Sequence, residues 1–270
     1  MMTDCKRGAQ GNEQEYNEKG QFSGPLCHGD QTPTPTAPPK MDLAHWTGNT
    51  PDMPPLIKAR KDYLDAINRG KWQEFSRAID KLPNVTESEK FRYMMIFGVE
   101  GMMKVDKDGT TSGIQPATYW DNVEEGNFTP DPGHTVNNPE DLNIEERARY
   151  YRAFFQDKLF RFGGYGSLES MGDMETAAAV ADVVFQYSPR GADTVFRKAL
   201  GDMDAKPMEK NQISYNTWNK LISKAEDPNE RIELRKKIAQ ARERYSPGPE
   251  KRGNVFYGQD RYKMFVHYWE

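Results

Sequence analysis

The sequence predicts a mainly α-helical protein with one small β-hairpin placed just after its most apolar helix. Three observations carry this. Apolar residues recur at three- and four-residue spacing in successive segments between Leu56 and Tyr245. Thr86-Glu-Ser-Glu89 forms a capping box ahead of the densest apolar run, Phe91 to Val99. Beyond that run, Met103 to Asp106 and Thr111 to Gln115 can pair across Lys107-Asp108-Gly109-Thr110, where Asp-Gly is a strong hairpin signal.

Ahead of the helical part, residues 1–30 are rich in Gly, Gln, Asn, Glu and Lys and lack apolar periodicity. Thr32-Pro-Thr-Pro-Thr-Ala-Pro-Pro39 follows. Together they read as a flexible polar tail and a stiff linker. Met41 to Pro55, with Trp46 and further prolines, is expected to wrap over a surface without forming an element. The domain organisation is therefore a tail and linker over 1–55 and one folded domain over 56–270. At 36 % apolar residues, a chain of 270 residues can bury one good-sized core.

Within the domain, Leu56, Ile57, Tyr63, Leu64 and Ile67, then Trp72, Phe75, Ile79 and Leu82, predict two short helices broken near Arg69-Gly70. The capped apolar helix and the hairpin come next, then a short helix over Pro116 to Trp120. Residues 121–143 carry many Asn, Asp, Pro and Gly and are expected to be a long loop beside the hairpin. Ile144 to Phe162 is a helix with a wide aromatic face, ended by Phe162-Gly-Gly-Tyr-Gly166. Glu175 to Tyr187, rich in Ala and Val, suits the centre of the core. Helices over Ala192 to Leu200, Ser214 to Ile222 and Glu230 to Tyr245 complete the set, the last with Ile232, Leu234, Ile238 and Ala241 inward. In the Gly- and Pro-rich tail from Ser246, aromatics such as Tyr257 and Trp269 are expected to pack back on the body.

Composition narrows the function. Lys plus Arg number 37 against 41 Asp plus Glu, with no long basic run, which argues against a nucleic-acid partner. No stretch approaches the roughly 18 apolar residues of a membrane span, and the first residues lack the apolar core of a signal peptide. Cys5 and Cys27 fit a short-loop disulfide or two thiols equally well. His28, His45, His134 and His267 are scattered without ligand spacing. Asp106-Lys-Asp-Gly109 has its glycine at the fourth rather than the sixth place of a calcium loop. No metal or cofactor is expected. Ser167 lacks the second glycine of a nucleophile elbow, which discounts a serine hydrolase.

Glu100 is the candidate for chemistry. A carboxylate expected at the C-terminal end of a helix dipole and among Met and Phe is one that the sequence suggests for a general acid. Cleavage of a glycosidic bond needs such a carboxyl near the leaving oxygen and a second group that holds water or stabilises developing positive charge. The hairpin brings Asp106 or Asp108 into range as the second group, with Thr110 or Thr111 to orient a water. The same residues also fit a helix cap and a solvated hairpin with no chemistry. Tyr119 and Trp120, just past the hairpin, and Tyr151 and Tyr165 could stack on sugar faces or simply fill the core.

Glu100-Gly-Met-Met followed by Asp-Lys-Asp-Gly-Thr-Thr-Ser-Gly-Ile114 resembles the Glu-Gly, Asp, Thr-x-Gly-Ile pattern of phage-type lysozymes. It is more similar still to the signature of glycoside hydrolase family 108, the N-acetylmuramidases. Tyr151-Arg-Ala-Phe-Phe155 resembles the Tyr-Arg-x-x-Tyr/Phe helix that follows in that family. Val180-Ala-Asp-Val-Val-Phe-Gln-Tyr-Ser-Pro-Arg-Gly-Ala192 and Phe196-Arg-Lys-Ala-Leu-Gly201 are similar to its peptidoglycan-binding region. The resemblance spans about residues 88–245. It departs at Met102-Met103, where the family has Gly-Tyr, in a turn shortened to Asp-Gly, and at Gln186 or Tyr187 in place of an Asn. Asp106 precedes Thr111 by about the family interval and is the favoured match.

The resemblance implies a lysozyme-like helical fold and hydrolysis of the bond between N-acetylmuramic acid and N-acetylglucosamine. Glu100 would be the acid, Asp106 or else Asp108 its partner, and Thr111 the residue that positions water. Two alternatives stay open: a lytic transglycosylase using the same glutamate, and a non-catalytic wall-binding protein. The expected partners are peptidoglycan glycan strands, with an immunity protein or a secretion carrier, and the expected state is a monomer. Made in a bacterial cytoplasm without a signal peptide, such a protein would reach the periplasm or wall by phage lysis or by a contact-dependent secretion system.

Overall fold

The computed structural model describes residues 5–7, 13–15, 46–47, 50–51, 53–54, 57–58, 68–161, 168–187, 189–209 and 212–245. The chain divides into two units, Met1–Lys40 and Met41–Glu270. In the first, β1 (Cys5–Arg7) pairs antiparallel with β2 (Glu13–Glu15). In the second, β3 (Trp46–Thr47) pairs with β4 (Thr50–Pro51). Both pairings fall in stretches where the sequence predicts no element.

The second unit is otherwise helical, with eight α-helices among the described residues. These are α1 (Lys71–Asp80), α2 (Glu87–Val99), α3 (Pro116–Glu124), α4 (Ile144–Arg161), α5 (Met174–Gln186), α6 (Pro189–Ala199), α7 (Tyr215–Glu226) and α8 (Pro228–Tyr245). Short 3₁₀ turns occupy Pro139–Asp141 and Leu168–Met171. The predicted break before α1 is real: Gly70 caps it with φ 76°, a left-handed conformation open to glycine at little cost. The helix expected ahead of that break and the tail from Ser246 lie largely or wholly outside the described residues. So do Tyr165 and the side chains of Cys5 and Cys27.

The centre of the core is α2 against α5, with α1 and α4 on one side and α6, α7 and α8 on the other. The capping box forms as read: Thr86 Oγ1 accepts from the Glu89 N–H at 3.1 Å, and Glu89 Oε2 accepts from the Thr86 N–H at 2.9 Å. Every residue of α2 from Lys90 to Val99 is buried. Even its two basic side chains are absorbed, Lys90 onto Asp80 and Arg92 onto Glu169 and Ser88. Aromatic rings lock α2 to its neighbours: Phe97 stacks on Phe75 at 4.0 Å, and Tyr93 on Phe155 at 5.7 Å. Each ring of this size stabilises the fold by roughly 1.5–3 kcal/mol on burial. Leu234, Ile238 and Ala241 of α8 point inward as expected, whereas Ile232 does not and is 48 % exposed.

The hairpin predicted after α2 is not formed. Asp106 N–H donates to Thr110 O at 2.8 Å and Gly109 N–H to Asp106 O at 3.0 Å, while Val105 with Thr111 and Thr111 with Ile114 meet only as single bridges. Left-handed backbone at Met102 (φ 55°), Ser112 (φ 52°) and Gly113 (φ 70°) coils the chain at both ends of the segment, so neither side stays extended. The short helix predicted over Pro116 to Trp120 runs on to Glu124, and the long loop begins only after it. Among the described residues no helix is long and apolar enough to cross a membrane.

Candidate active site

Glu100 closes α2. Its N–H still bonds to Ile96 O, at 2.9 Å, and its own dihedrals (φ −76°, ψ 4°) leave the helix. Gly101 at φ 86° then turns the chain, and Met102 N–H returns to Phe97 O at 2.8 Å. That chain reversal leaves the Glu100 side chain half-buried at the edge of a cleft of about 350 Å³. The cleft is framed by five parts of the chain, Pro189 at the start of α6 among them. The turn after α2 supplies Thr110, Gly113 and Ile114, and the polar face of α3 supplies Gln115, Thr118 and Asp121. Tyr150 and Phe154 come from α4. The C-terminal end of α5 gives Val184, Phe185, Gln186 and Tyr187.

Gly113 sets how near the turn comes to the acid. A β-carbon built there would lie 2.4 Å from Phe185 Cε1, 2.7 Å from Glu100 Cγ and 2.9 Å from Glu100 Cδ. The turn itself is held from behind by Arg147, a fully buried residue of α4. Its Nη1 donates to Thr111 Oγ1 at 3.0 Å and Ser112 Oγ at 2.9 Å; its Nε and Nη2 donate to the carbonyls of Leu142, Pro139 and Glu140. Tyr151 Oη adds a bond of 2.6 Å to Ser112 O. Burial lowers the Arg147 guanidinium to about 10, with the nearby Glu146 carboxylate acting the other way.

Glu146 anchors the loop ahead of α4. Its carboxylate is fully buried and accepts from the Asp131 N–H, the Asn143 N–H and His134 Nδ1 at 2.8–2.9 Å. Burial pushes this carboxyl up, but those donors outweigh it and hold the group below the usual carboxylate range. His134 is therefore a structural partner of the loop. Among the described residues no three acidic, His or Cys side chains gather as a metal would require.

The structure brings together only part of the predicted constellation. Glu100 and Thr110 share the cleft, and Thr110 Oγ1 is shielded from solvent without a protein hydrogen-bond partner. Thr111 is 1 % exposed and bound by Arg147. Asp106 is exposed, pairs with Lys104 at 3.1 Å and does not line the cleft. Asp108 accepts from the Thr110 N–H at 3.0 Å, a local turn contact. Tyr119 and Tyr151 are completely buried and present no face to a sugar. Trp120 is 40 % exposed and meets Tyr119 edge-on at 5.1 Å.

Asp121 was not singled out by sequence reasoning, yet it lines the same cleft as Glu100. It is near enough to Tyr150 to influence that phenol, which is pushed up first by burial, relieved by the Asn122 hydrogen bond and raised again by the Asp121 charge. A signal was present. Gln115, Thr118 and Asp121 recur at three-residue spacing, which lines one face of a helix once α3 is allowed its full length.

Scans of the chain against protein-family models, curated proteins and solved structures return no match.

Proposed function

We propose that the chain is a peptidoglycan hydrolase of lysozyme-like fold that cuts between N-acetylmuramic acid and N-acetylglucosamine. One observation carries the proposal: a glutamate at the end of a buried helix opens into a cleft that also holds a second carboxylate, an unpartnered hydroxyl and an aromatic wall. Glu100 gives its proton to the glycosidic oxygen as the bond breaks. Asp121, in the place the sequence suggested for Asp106, stabilises the developing oxocarbenium ion or takes a proton from water, and Thr110 orients that water. Phe154, Phe185 and Tyr187 offer apolar surface to the sugar ring. The protein would reach its substrate from a bacterial cytoplasm, released by phage lysis or carried by a contact-dependent secretion apparatus.

The test is turbidity of purified sacculi treated with the wild type and with Glu100→Gln. Clearing by the wild type alone, with both proteins folded, supports the hydrolase. Equal clearing by both removes Glu100 from the chemistry.

A further inference from the structure

The three residues that follow Glu100 are gripped by two buried polar side chains, neither of which lines the cleft. Asn68, ahead of α1 and 7 % exposed, takes them from one side: its Oδ1 accepts from the Met103 N–H at 2.9 Å and its Nδ2 donates to Gly101 O at 3.4 Å. An N–H only donates and a carbonyl only accepts, so the amide is fixed in that orientation. Ser112, fully buried, takes them from the other side, where its Oγ donates to Met102 O at 2.5 Å. Arg147 carries donors and no acceptor, so the same Oγ accepts from it and has its own hydrogen left for Met102. The Met102 N–H is held in turn by Phe97 O of α2.

Both ends of the Ser112–Met102 bond stand in left-handed backbone, at φ 52° and 55°. Side chains other than glycine keep that conformation only where their surroundings over-determine it. Gly101 and Gly113 are left-handed beside them, at φ 86° and 70°. The chain thus leaves Glu100 and returns to it through two tightly coiled pairs, Gly101-Met102 and Ser112-Gly113, joined across by one hydroxyl. Strain concentrated next to a reacting group, and fully hydrogen-bonded, fits a geometry set before substrate enters. We propose that Asn68 and Ser112 are positioning residues for Glu100, clamping residues 101–103 between them so that the acid meets the cleft in one orientation. This inference rests on the hydrolase proposal above and names the residues that set its acid.

The experiment follows the clearing of purified sacculi over a range of sacculus concentrations by the wild type and by Asn68→Ala, Asn68→Asp, Ser112→Ala and Ser214→Ala. Ser214 caps α7 and does not line the cleft, so Ser214→Ala reports the effect of lost stability alone. Asn68→Asp keeps the acceptor for the Met103 N–H. Thermal unfolding sets a temperature at which the compared variants are folded. A displaced acid loses transition-state stabilisation and not ground-state binding. Asn68→Ala and Ser112→Ala should therefore lose about tenfold or more in maximal rate, with the half-saturating concentration changed by less than about twofold. Asn68→Asp should recover most of the loss of Asn68→Ala, and Ser214→Ala should stay within about twofold of the wild type. Folded alanine variants that lose no more than Ser214→Ala, or that lose affinity at an unchanged maximal rate, overturn the assignment. Equal losses in folded Asn68→Ala and Asn68→Asp overturn it for Asn68. Glu100→Gln separates the failures: if the wild type clears sacculi and Glu100→Gln does not, the hydrolase stands and only this inference falls, whereas a wild type that clears nothing removes both.

Discussion

Gly113 and Glu100 pack so closely that no side chain fits between them: a β-carbon on Gly113 would stand 2.7 Å from Glu100 Cγ and 2.9 Å from its carboxyl carbon. The backbone there is also left-handed, at φ 70°. Gly113→Ala therefore meets two penalties at once, and its cost is expected at about 2 kcal/mol or more in a urea melt. Because the clash falls on Phe185 of the cleft wall and on the candidate acid together, sacculus clearing should fall on the order of 100-fold even in the folded fraction. Clearing at the wild-type rate would show that the position of Glu100 does not matter.

Asp121 and Asp106 are separated by one comparison. Asp121→Asn leaves α3 intact and removes the second carboxylate of the cleft, so clearing should drop about 10²- to 10⁴-fold. Asp106→Asn removes only an exposed ion pair with Lys104. Its activity should stay within a factor of about three and its stability within about 0.5 kcal/mol. The reverse pattern would return the partner role to Asp106.

Arg147→Met deprives two hydroxyls and three carbonyls of their buried donor. A loss of about 3 kcal/mol or more is expected, measured by chemical denaturation. A loss below about 1 kcal/mol would mean that the turn after α2 holds its shape without the arginine.

Glu146 gives the fold a defined pH response. Its carboxyl titrates lower in the folded chain than in the unfolded one, so the unfolded chain takes up the proton first as pH falls. The stabilisation is thus complete above the ordinary carboxylate range and is lost as pH falls through the folded value. Glu146→Gln should cost about 1–3 kcal/mol near pH 7, and the gap to the wild type should narrow by about pH 3. A gap that is constant across that range would show that the charge on Glu146 contributes nothing.

The helices were legible because their signals are local. The capping box at Thr86, the break at Gly70 and the small-residue run of α5 each read directly from neighbouring residues, and boundaries such as Ile144–Arg161 fall within a residue or two of expectation. The hairpin was not, because Asp-Gly can close a turn of any sort. What decides here is long-range: Arg147, some 35 residues on, draws Thr111 and Ser112 inward and ends the extended run. The same distance hid the second carboxylate of the cleft. The family resemblance favoured Asp106, whereas the cleft is assembled from α3, α4 and α5, and Asp121 comes to line it with Glu100 only through that packing. Tyr119 and Tyr151 show the usual ambiguity of aromatics, since a ring suited to a sugar is equally suited to a core.

The most direct test is mass spectrometry of the soluble fragments released from purified sacculi by the wild type and by Glu100→Gln. Fragments ending in reducing N-acetylmuramic acid, from the wild type alone, are the expected result and would establish hydrolysis with Glu100 as its acid. Anhydro ends would contradict it in favour of a transglycosylase, and no fragments from either protein would leave a chain that does not cut the wall.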